Sequence, residues 1–255
     1  MYTAARLFLS NGRDRSNSTL DKRSGVASTS ETEHWDSPAP GKGTTVKSRV
    51  LLVDRHTLFL EAVGSLLKPD FDVMHITLHD IPEAIKLAAK YNPNILVLNP
   101  MVCGFNNIGL VRQMREAVPS AKILFLTETA SLALAAAAFA NGVSGFLVKH
   151  SSIADFVAAL RALEQEKRFL DPSLADGNVD AALQFQSPAA RLTPREFEVL
   201  GRILRGWSMK QVARELKVTP RTVAFHKYRA MQTLEVQNNA QLIEAAGRLG
   251  LLGPE

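Results

Sequence analysis

The sequence predicts a doubly wound α/β domain with a five-stranded parallel sheet, followed by a small all-α domain of four helices. Three observations support this prediction. Five short apolar runs alternate with amphipathic stretches, residues 171–190 are rich in turn signals, and the segment after them contains three clear helix starts. A chain of 255 residues is long enough for two compact domains with their own cores.

The five apolar runs are rich in β-branched residues, which is typical of strands that are covered on both faces. They occupy residues 50–53, 71–76, 95–98, 123–126 and 145–148. Helical periodicity predicts the helices that follow them, at residues 58–67, 81–90, 108–117, 131–141 and 152–167. Strands that alternate with helices in this way pair in parallel, so residues 48–170 are predicted to form the α/β domain.

The segments on either side of this domain have a different composition. Residues 1–47 are rich in Ser, Thr, Gly, Asp and Arg without any period, which predicts a disordered extension. Residues 171–190 contain Pro and Gly turn signals, so we expect a linker whose middle, 179–185, forms one or two helical turns. The second domain is then predicted to cover residues 191–255.

Bulk composition excludes several classes of protein. No apolar run reaches the roughly eighteen residues that a membrane-spanning helix needs, so we expect no membrane association. The single cysteine, Cys103, excludes an internal disulfide framework and favours a reducing, cytoplasmic location. A redox role for Cys103 is one hypothesis, and a plain packing role is the other.

Residue patterns in the second domain predict short, closely connected helices. Thr193-Pro194-Arg195-Glu196 and Ser208-Met209-Lys210-Gln211 are capping boxes, and Thr219-Pro220 is a further helix start. The last two helices are separated by a tight turn, which is the arrangement of a helix-turn-helix. The domain carries eleven Lys or Arg against six Asp or Glu, a balance that favours binding to a phosphate backbone.

At this point a family resemblance becomes specific. Leu192-Thr193-Pro194-Arg195-Glu196, Ala213-Arg214-Glu215-Leu216 and the run Arg221-Thr222-Val223-Ala224-Phe225-His226-Lys227 resemble the LuxR-type helix-turn-helix. The resemblance implies a DNA-binding domain that reads the major groove with the helix after Pro220. Ala240-Gln241-Leu242-Ile243 is similar to the fourth, dimer-forming helix of that family, so we expect a homodimer bound to double-stranded DNA.

The resemblance also implies which side chains contact DNA. The predicted contacts are Lys210, Thr219, Arg221, Thr222, Val223, His226, Lys227 and Arg229. Phe225 shares the exposed face of the same helix, whose side chains can reach base edges and phosphates. Alternatives remain open, because Val223 fits a core position equally well and His226 and Lys227 could belong to a solvated face.

A five-unit α/β domain before a LuxR-type module resembles the flavodoxin-like receiver of NarL/FixJ response regulators. That receiver is phosphorylated on an aspartate after its third strand, with acidic residues after the first strand holding a magnesium ion. By strand ends, Asp54 matches one acid, Thr127 the hydroxyl and Lys149 the lysine, while Phe146 matches an aromatic switch position. The nucleophile position is held by Asn99, and the neighbouring acid is replaced by Arg55.

These replacements predict a degenerate receiver that is not phosphorylated, because an amide is a poor nucleophile. Deamidation of Asn99 could restore an aspartate, but the following Pro100 lacks an amide hydrogen and disfavours that route. Arg55 either pairs with Asp54 and mimics the metal ion or points to solvent. We expect no resident metal, no cofactor and no enzymatic activity.

The predicted function is therefore sequence-specific transcriptional regulation that is independent of aspartyl phosphate. One alternative is a conventional phosphorelay regulator. Another is a protein that docks on a second regulator and binds DNA weakly or not at all. A phosphoryl-transfer enzyme or nucleotide binder is disfavoured, since no glycine-rich phosphate loop follows the first strand.

Overall fold

The computed structural model describes residues 47–78, 81–102, 105–106 and 108–252. The predicted disordered extension lies outside these residues except for Lys47, and so does Cys103. Within the described ranges, no helix combines the length and the apolar character that crossing a membrane requires.

A parallel sheet forms the centre of the first domain. The strands along the chain are β1 (Arg49–Asp54), β2 (Asp72–Thr77), β3 (Ile95–Leu98), β4 (Met101–Val102), β5 (Phe105–Asn106), β6 (Lys122–Thr127), β7 (Gly145–Val148) and β8 (Phe169–Leu170). The order of the strands across the sheet is β2-β1-β3-β6-β7-β8. The five predicted strands are confirmed, while β4 and β5 form a separate antiparallel hairpin. The sixth sheet strand, β8, was not predicted because two residues are too few to show a period.

Helices cover both faces of the sheet, which explains why its central strands are apolar throughout. The helices of this domain are α1 (Thr57–Leu67), α2 (Ile81–Tyr91), α3 (Ile108–Ala117), α4 (Leu132–Ala140) and α5 (Ile153–Glu164). Val50 and Leu52 of β1 pack toward α1 and α5, while Leu51 and Val53 pack toward the opposite side, where α2, α3 and α4 lie. Successive side chains of a strand point to opposite faces, so both need apolar residues.

The described residues of the second domain form four short helices. They are α7 (Pro194–Leu204), α8 (Met209–Glu215), α9 (Pro220–Thr233) and α10 (Asn239–Arg248), preceded in the linker by α6 (Val179–Gln184). The predicted capping boxes at Thr193 and Ser208 both form, and Thr219 caps α9 through the Thr222 amide. These caps satisfy amide groups that a helix start leaves without partners, so they fix where each helix begins.

One apolar core runs from the sheet into the second domain. Leu192, Phe197 and Leu251 belong to the same buried cluster as the alanine-rich helix α4. Polar contacts add to it: the Gln113 amide donates to Glu198 at 3.3 Å, and the Ser131 hydroxyl donates to the Leu249 carbonyl at 3.3 Å. Because this core is continuous across the predicted boundaries at residues 170 and 191, it does not test them, and the domain limits stay predictions.

Candidate functional site

The carboxyl edge of the sheet brings together three of the residues that the sequence singled out. Asp54 ends β1, Asn99 follows β3 and Lys149 follows β7, and neighbouring parallel strands end at one edge. The Asn99 Nδ2 donates to Asp54 Oδ2 at 2.9 Å, and Lys149 Nζ lies 2.7 Å from the same oxygen. Thr127 ends β6 at this edge, where it is buried and accepts a hydrogen bond from the Thr129 amide.

Asp54 is a buried carboxylate whose hydrogen bonds come from several directions. Besides Asn99 and Lys149, it accepts from the His56 amide at 2.9 Å, and the His56 ring Nδ1 lies 2.8 Å away. Burial by itself raises the pKa of Asp54, but the bond from Lys149, the His56 amide, the Lys149 charge and the Asn99 amide together lower it below its ordinary value. The residue is therefore held as a carboxylate.

Lys149 is the cation at the centre of this cluster. Its side chain is 9% exposed, and its Nζ lies 2.8 Å from Glu128 Oε1 as well as 2.7 Å from Asp54. The ammonium group also lies 4.9 Å from the centre of the Phe59 ring, a favourable cation–π geometry. Two carboxylates and one aromatic ring thus enclose one ammonium group.

The hypothesis that Arg55 pairs with Asp54 is wrong, and its alternative is correct. Arg55 is exposed and makes no ion pair with any residue that the structure describes. Lys149 and His56 occupy the positions around Asp54 instead, because Arg55 follows the last strand residue and faces outward. The sequence signal that could have indicated His56 is its place two residues after a buried aspartate, where a ring nitrogen can reach back to the carboxylate.

Asn99 uses both ends of its side-chain amide. Its Nδ2 donates to Asp54, and its Oδ1 accepts from the Met101 amide at 2.9 Å. The side chain is almost completely buried, so both contacts are made away from water. A carboxylate in its place could still accept from Met101, but it would face Asp54 as a second negative charge.

The cluster does not fit the magnesium ion that a phosphorylated receiver needs. Magnesium prefers several oxygen ligands with nearly octahedral geometry. The acidic side chains here are Asp54 and Glu128, and both bind the Lys149 ammonium group. Within the described residues, no group of three or more His, Cys, Asp or Glu side chains is arranged to hold a metal.

In the second domain, a small buried cluster sets the angle between α8 and α9. It consists of Val199 of α7, Val212 and Ala213 of α8, and Val223 of α9. Val223 is 0% exposed, so the prediction that it contacts DNA is wrong and its alternative as a core residue is correct. The physical reason is that Val223 lies on the face of α9 that packs against α8.

The remaining predicted contact residues differ in how exposed they are. Lys210, Thr219, Arg221 and Arg229 are exposed, whereas Thr222, His226 and Lys227 are half-buried. Lys227 Nζ donates to Asn239 Oδ1 of α10 at 2.7 Å, so this cation has a partner inside the domain. Arg221 and Arg229 have no ion pair with any described residue.

Two aromatic rings that were not among the predicted contacts also lie on α9. Phe225 is 58% exposed and Tyr228 is 62% exposed, on the same face as Arg221. The sequence placed Phe225 on this face, among side chains able to reach base edges and phosphates, without including it in the predicted contact set, and Tyr228 was missed. Its spacing, seven residues after Arg221, is the signal that could have found it.

Contacts between the two domains leave this face of α9 uncovered. They are made by α3 with α7, by α4 with the turn at Pro188–Arg191, and by Ser131, the residue that caps α4, with Leu249. Helix α9 packs against α7, α8 and the turn at Pro188–Arg191.

Family models match both domains. Residues 50–161 match the response regulator receiver domain, and residues 190–246 match the bacterial regulatory proteins of the luxR family. Among curated relatives, the probable transcriptional regulatory protein NarL of Mycobacterium tuberculosis is 30% identical over 208 residues, which cover 81% of this chain and 96% of that protein. The oxygen regulatory protein NreC of Staphylococcus carnosus is 25% identical, covering 80% and 99%.

A solved structure has a similar fold. RcsB from Salmonella enterica serovar Typhimurium, bound to promoter P1flhDC in the presence of phosphomimetic BeF3-, matches with a TM-score of 0.61 at 22% sequence identity. The match covers 78% of this chain and 98% of the RcsB chain.

Proposed function

Since this chain belongs to the NarL/FixJ-type response regulators and is a DNA-binding transcriptional regulator, we propose that it regulates without being phosphorylated on an aspartate. The observation that carries the proposal is Asn99, whose amide takes the place expected for the phosphoacceptor and bonds to Asp54 at 2.9 Å. An amide lacks the anionic oxygen that attacks a phosphoryl group, so no acyl phosphate can form there.

The charge balance of the cluster supports the same proposal. In a receiver that reacts with phosphate, a metal ion and a lysine neutralise the charge of the incoming phosphoryl group. Here Lys149 is bonded to Asp54 and Glu128, so its charge is already balanced within the protein. A phosphate would have to displace these contacts without the help of a divalent cation.

We propose that DNA binding depends on α9 and its surroundings. The side chains proposed to contact DNA are Lys210, Thr219, Arg221, Thr222, His226, Lys227 and Arg229. Arg221 and Arg229 are exposed cations that form no ion pair with any described residue, so they are available for phosphate or base contacts. Lys227 can contact DNA only if its ammonium group shares or breaks its hydrogen bond to Asn239.

We also propose that the chain binds DNA as a homodimer through α10. On this helix Ile243 is 53% exposed, and a Cβ atom built on Gly247, four residues later, would have open space around it. Positions four apart share a helix face, so a second copy could pack closely there. The variant Ile243→Glu is expected to be monomeric in analytical ultracentrifugation. A dimer that is unchanged by this substitution would mean that the interface lies elsewhere.

A phosphodonor assay tests the phosphate-independent function. The protein is incubated with acetyl phosphate and Mg²⁺, then analysed by intact mass and by affinity for DNA selected from a genomic library. We expect no phosphoryl mass and an unchanged Kd, with a response regulator that has an aspartate at this position as the positive control. A phosphorylated residue, or a Kd that falls with the phosphodonor, would contradict the proposal.

A further inference from the structure

The exposed face of α9 has an aromatic centre. Arg221, Phe225, Tyr228 and Gln232 are all exposed and follow one another at spacings of four, three and four residues, which places them on one side of the helix. The opposite side carries Val223 and Ala230, which are both 0% exposed. Phe225 therefore points directly away from the core of the domain.

The geometry around Phe225 gives its ring a defined orientation. The ring meets the His226 ring edge to face, with centroids 5.5 Å apart and planes at 70°. Tyr228, one turn further along, is held by a bond from the Gln232 amide to its hydroxyl at 2.9 Å. A single exposed apolar side chain is ordinary on a protein surface, but two oriented rings on one helix face suggest a partner.

The positive charges beside the rings favour duplex DNA as the partner. Arg221 and Arg229 flank Phe225 on α9, and both are exposed cations without an ion pair in the described structure. A phenyl ring cannot hydrogen-bond to phosphate or to base edges. The apolar group that a major groove presents is the 5-methyl of thymine, which side chains such as Phe contact.

We propose that Phe225 determines sequence specificity by packing against the 5-methyl group of a thymine in the bound site. The inference rests on the proposed DNA contact by α9 and adds to it a base class and a residue. Arg221 and Arg229 supply the charged contacts that hold the helix in the groove, and the ring of Phe225 distinguishes a T·A pair from the others.

Thymine replacement tests this inference on the full-length protein. A preferred duplex is first selected from a randomised library, and each thymine is then replaced in turn by deoxyuridine, which lacks only the methyl group. At one thymine per half-site, the wild-type protein is expected to lose about fourfold in affinity, the factor that corresponds to burying one methyl-sized group. The variant Phe225→Ala should bind both duplexes equally.

A matched control separates specificity from general loss of apolar surface. Leu58 on α1 is 79% exposed, so Leu58→Ala removes an exposed apolar side chain from the first domain and should keep the fourfold difference. If the wild-type protein shows no preference for any duplex, the proposed DNA contact by α9 is contradicted. If it selects a site but deoxyuridine has no effect at any position, or Phe225→Ala keeps the discrimination, the assignment of Phe225 is overturned.

Discussion

The edge of the sheet around Asp54 and the outer face of α9 differ in whether their charged side chains have partners within the protein. At the sheet edge, the buried Asp54 accepts from Asn99 and His56 and binds Lys149, which in turn binds Glu128. On α9, the cations Arg221 and Arg229 are exposed and have no ion pair among the described residues. The first region satisfies its charges internally, and the second presents them to solvent.

This difference separates stability from binding. A buried charge that loses its partner destabilises the fold, whereas an exposed charge without a partner contributes little to folding and is available for a ligand. Variants at the sheet edge should therefore change the free energy of unfolding, and variants on α9 should change affinity for DNA. A sheet-edge variant that leaves stability intact would break the comparison.

The largest effect is expected for Lys149→Met, which removes the ammonium group and leaves Asp54 and Glu128 without their cation. Breaking one partner of a buried ion pair costs roughly 3–5 kcal/mol, so the denaturant midpoint should fall strongly. In the double variant Lys149→Met with Asp54→Asn, the buried Asp54 charge is gone and only Glu128, which is 19% exposed, lacks its cation, so a large part of the stability should return. Urea unfolding of the three proteins measures both steps.

Lys122→Met is the matched control for this experiment. Lys122 also pairs with an acid, Glu166, but that pair is exposed, with relative exposures of 35% and 72%. An exposed ion pair contributes about 0–1 kcal/mol, because water and salt screen it. Similar losses for Lys122→Met and Lys149→Met would show that burial does not distinguish the two pairs.

The second effect concerns Asn99→Asp, which replaces a donor to Asp54 by a second buried carboxyl group. We expect a loss of about 2 kcal/mol near pH 7, since a buried acceptor loses its donor and like charges meet. The introduced carboxyl group has a raised pKa in the folded protein, so its penalty decreases as the pH falls and it takes up a proton.

Wild-type protein should respond to acid in the opposite direction. Burial raises the pKa of Asp54. The hydrogen bonds to its carboxylate and the charge of Lys149 lower the pKa by more than burial raises it, so the net shift is downward. A lowered pKa stabilises the fold above the ordinary aspartate value, and this contribution is lost as the pH falls below about 4. Unfolding curves of wild type and Asn99→Asp should therefore approach each other in acid, and a constant difference would argue against the charge effect.

The sequence predicted much of the fold because its signals are local. Apolar runs located the five main strands, and capping boxes located the starts of α7 and α8. The site was predicted less completely. Strand ends predicted that Asp54, Asn99 and Lys149 lie at one edge, but the contact of His56 with Asp54 was not predicted, although it is a local contact between residues two positions apart. The burial of Val223 could likewise not be predicted without knowing how α8 packs on α9.

The third effect concerns two glycines at the end of α10 that have different surroundings. Gly250 has a φ of +69°, and a Cβ on it would lie 2.7 Å from the Ser131 side chain, whereas a Cβ on Gly247 would meet nothing within 4 Å. Gly250→Ala should therefore cost about 1–2 kcal/mol through backbone strain and collision with α4. In the monomeric Ile243→Glu background, where the proposed dimer face is not in use, Gly247→Ala should stabilise the helix by up to about 1 kcal/mol, because alanine favours helix. Thermal unfolding that moves both variants in the same direction would contradict this contact.

The smallest effect on folding is expected on α9, where Arg221→Gln should leave unfolding unchanged and act on DNA affinity. The logarithm of affinity falls linearly with the logarithm of salt concentration, and each phosphate contact that is lost makes this negative slope shallower by about 0.9. Lys227→Gln is the informative comparison, because Lys227 already donates to Asn239 and should reduce the slope by less. Binding titrations at several salt concentrations measure both slopes. Equal reductions would mean that Lys227 leaves Asn239 when DNA binds, and an unchanged slope for Arg221→Gln would remove this cation from the interface.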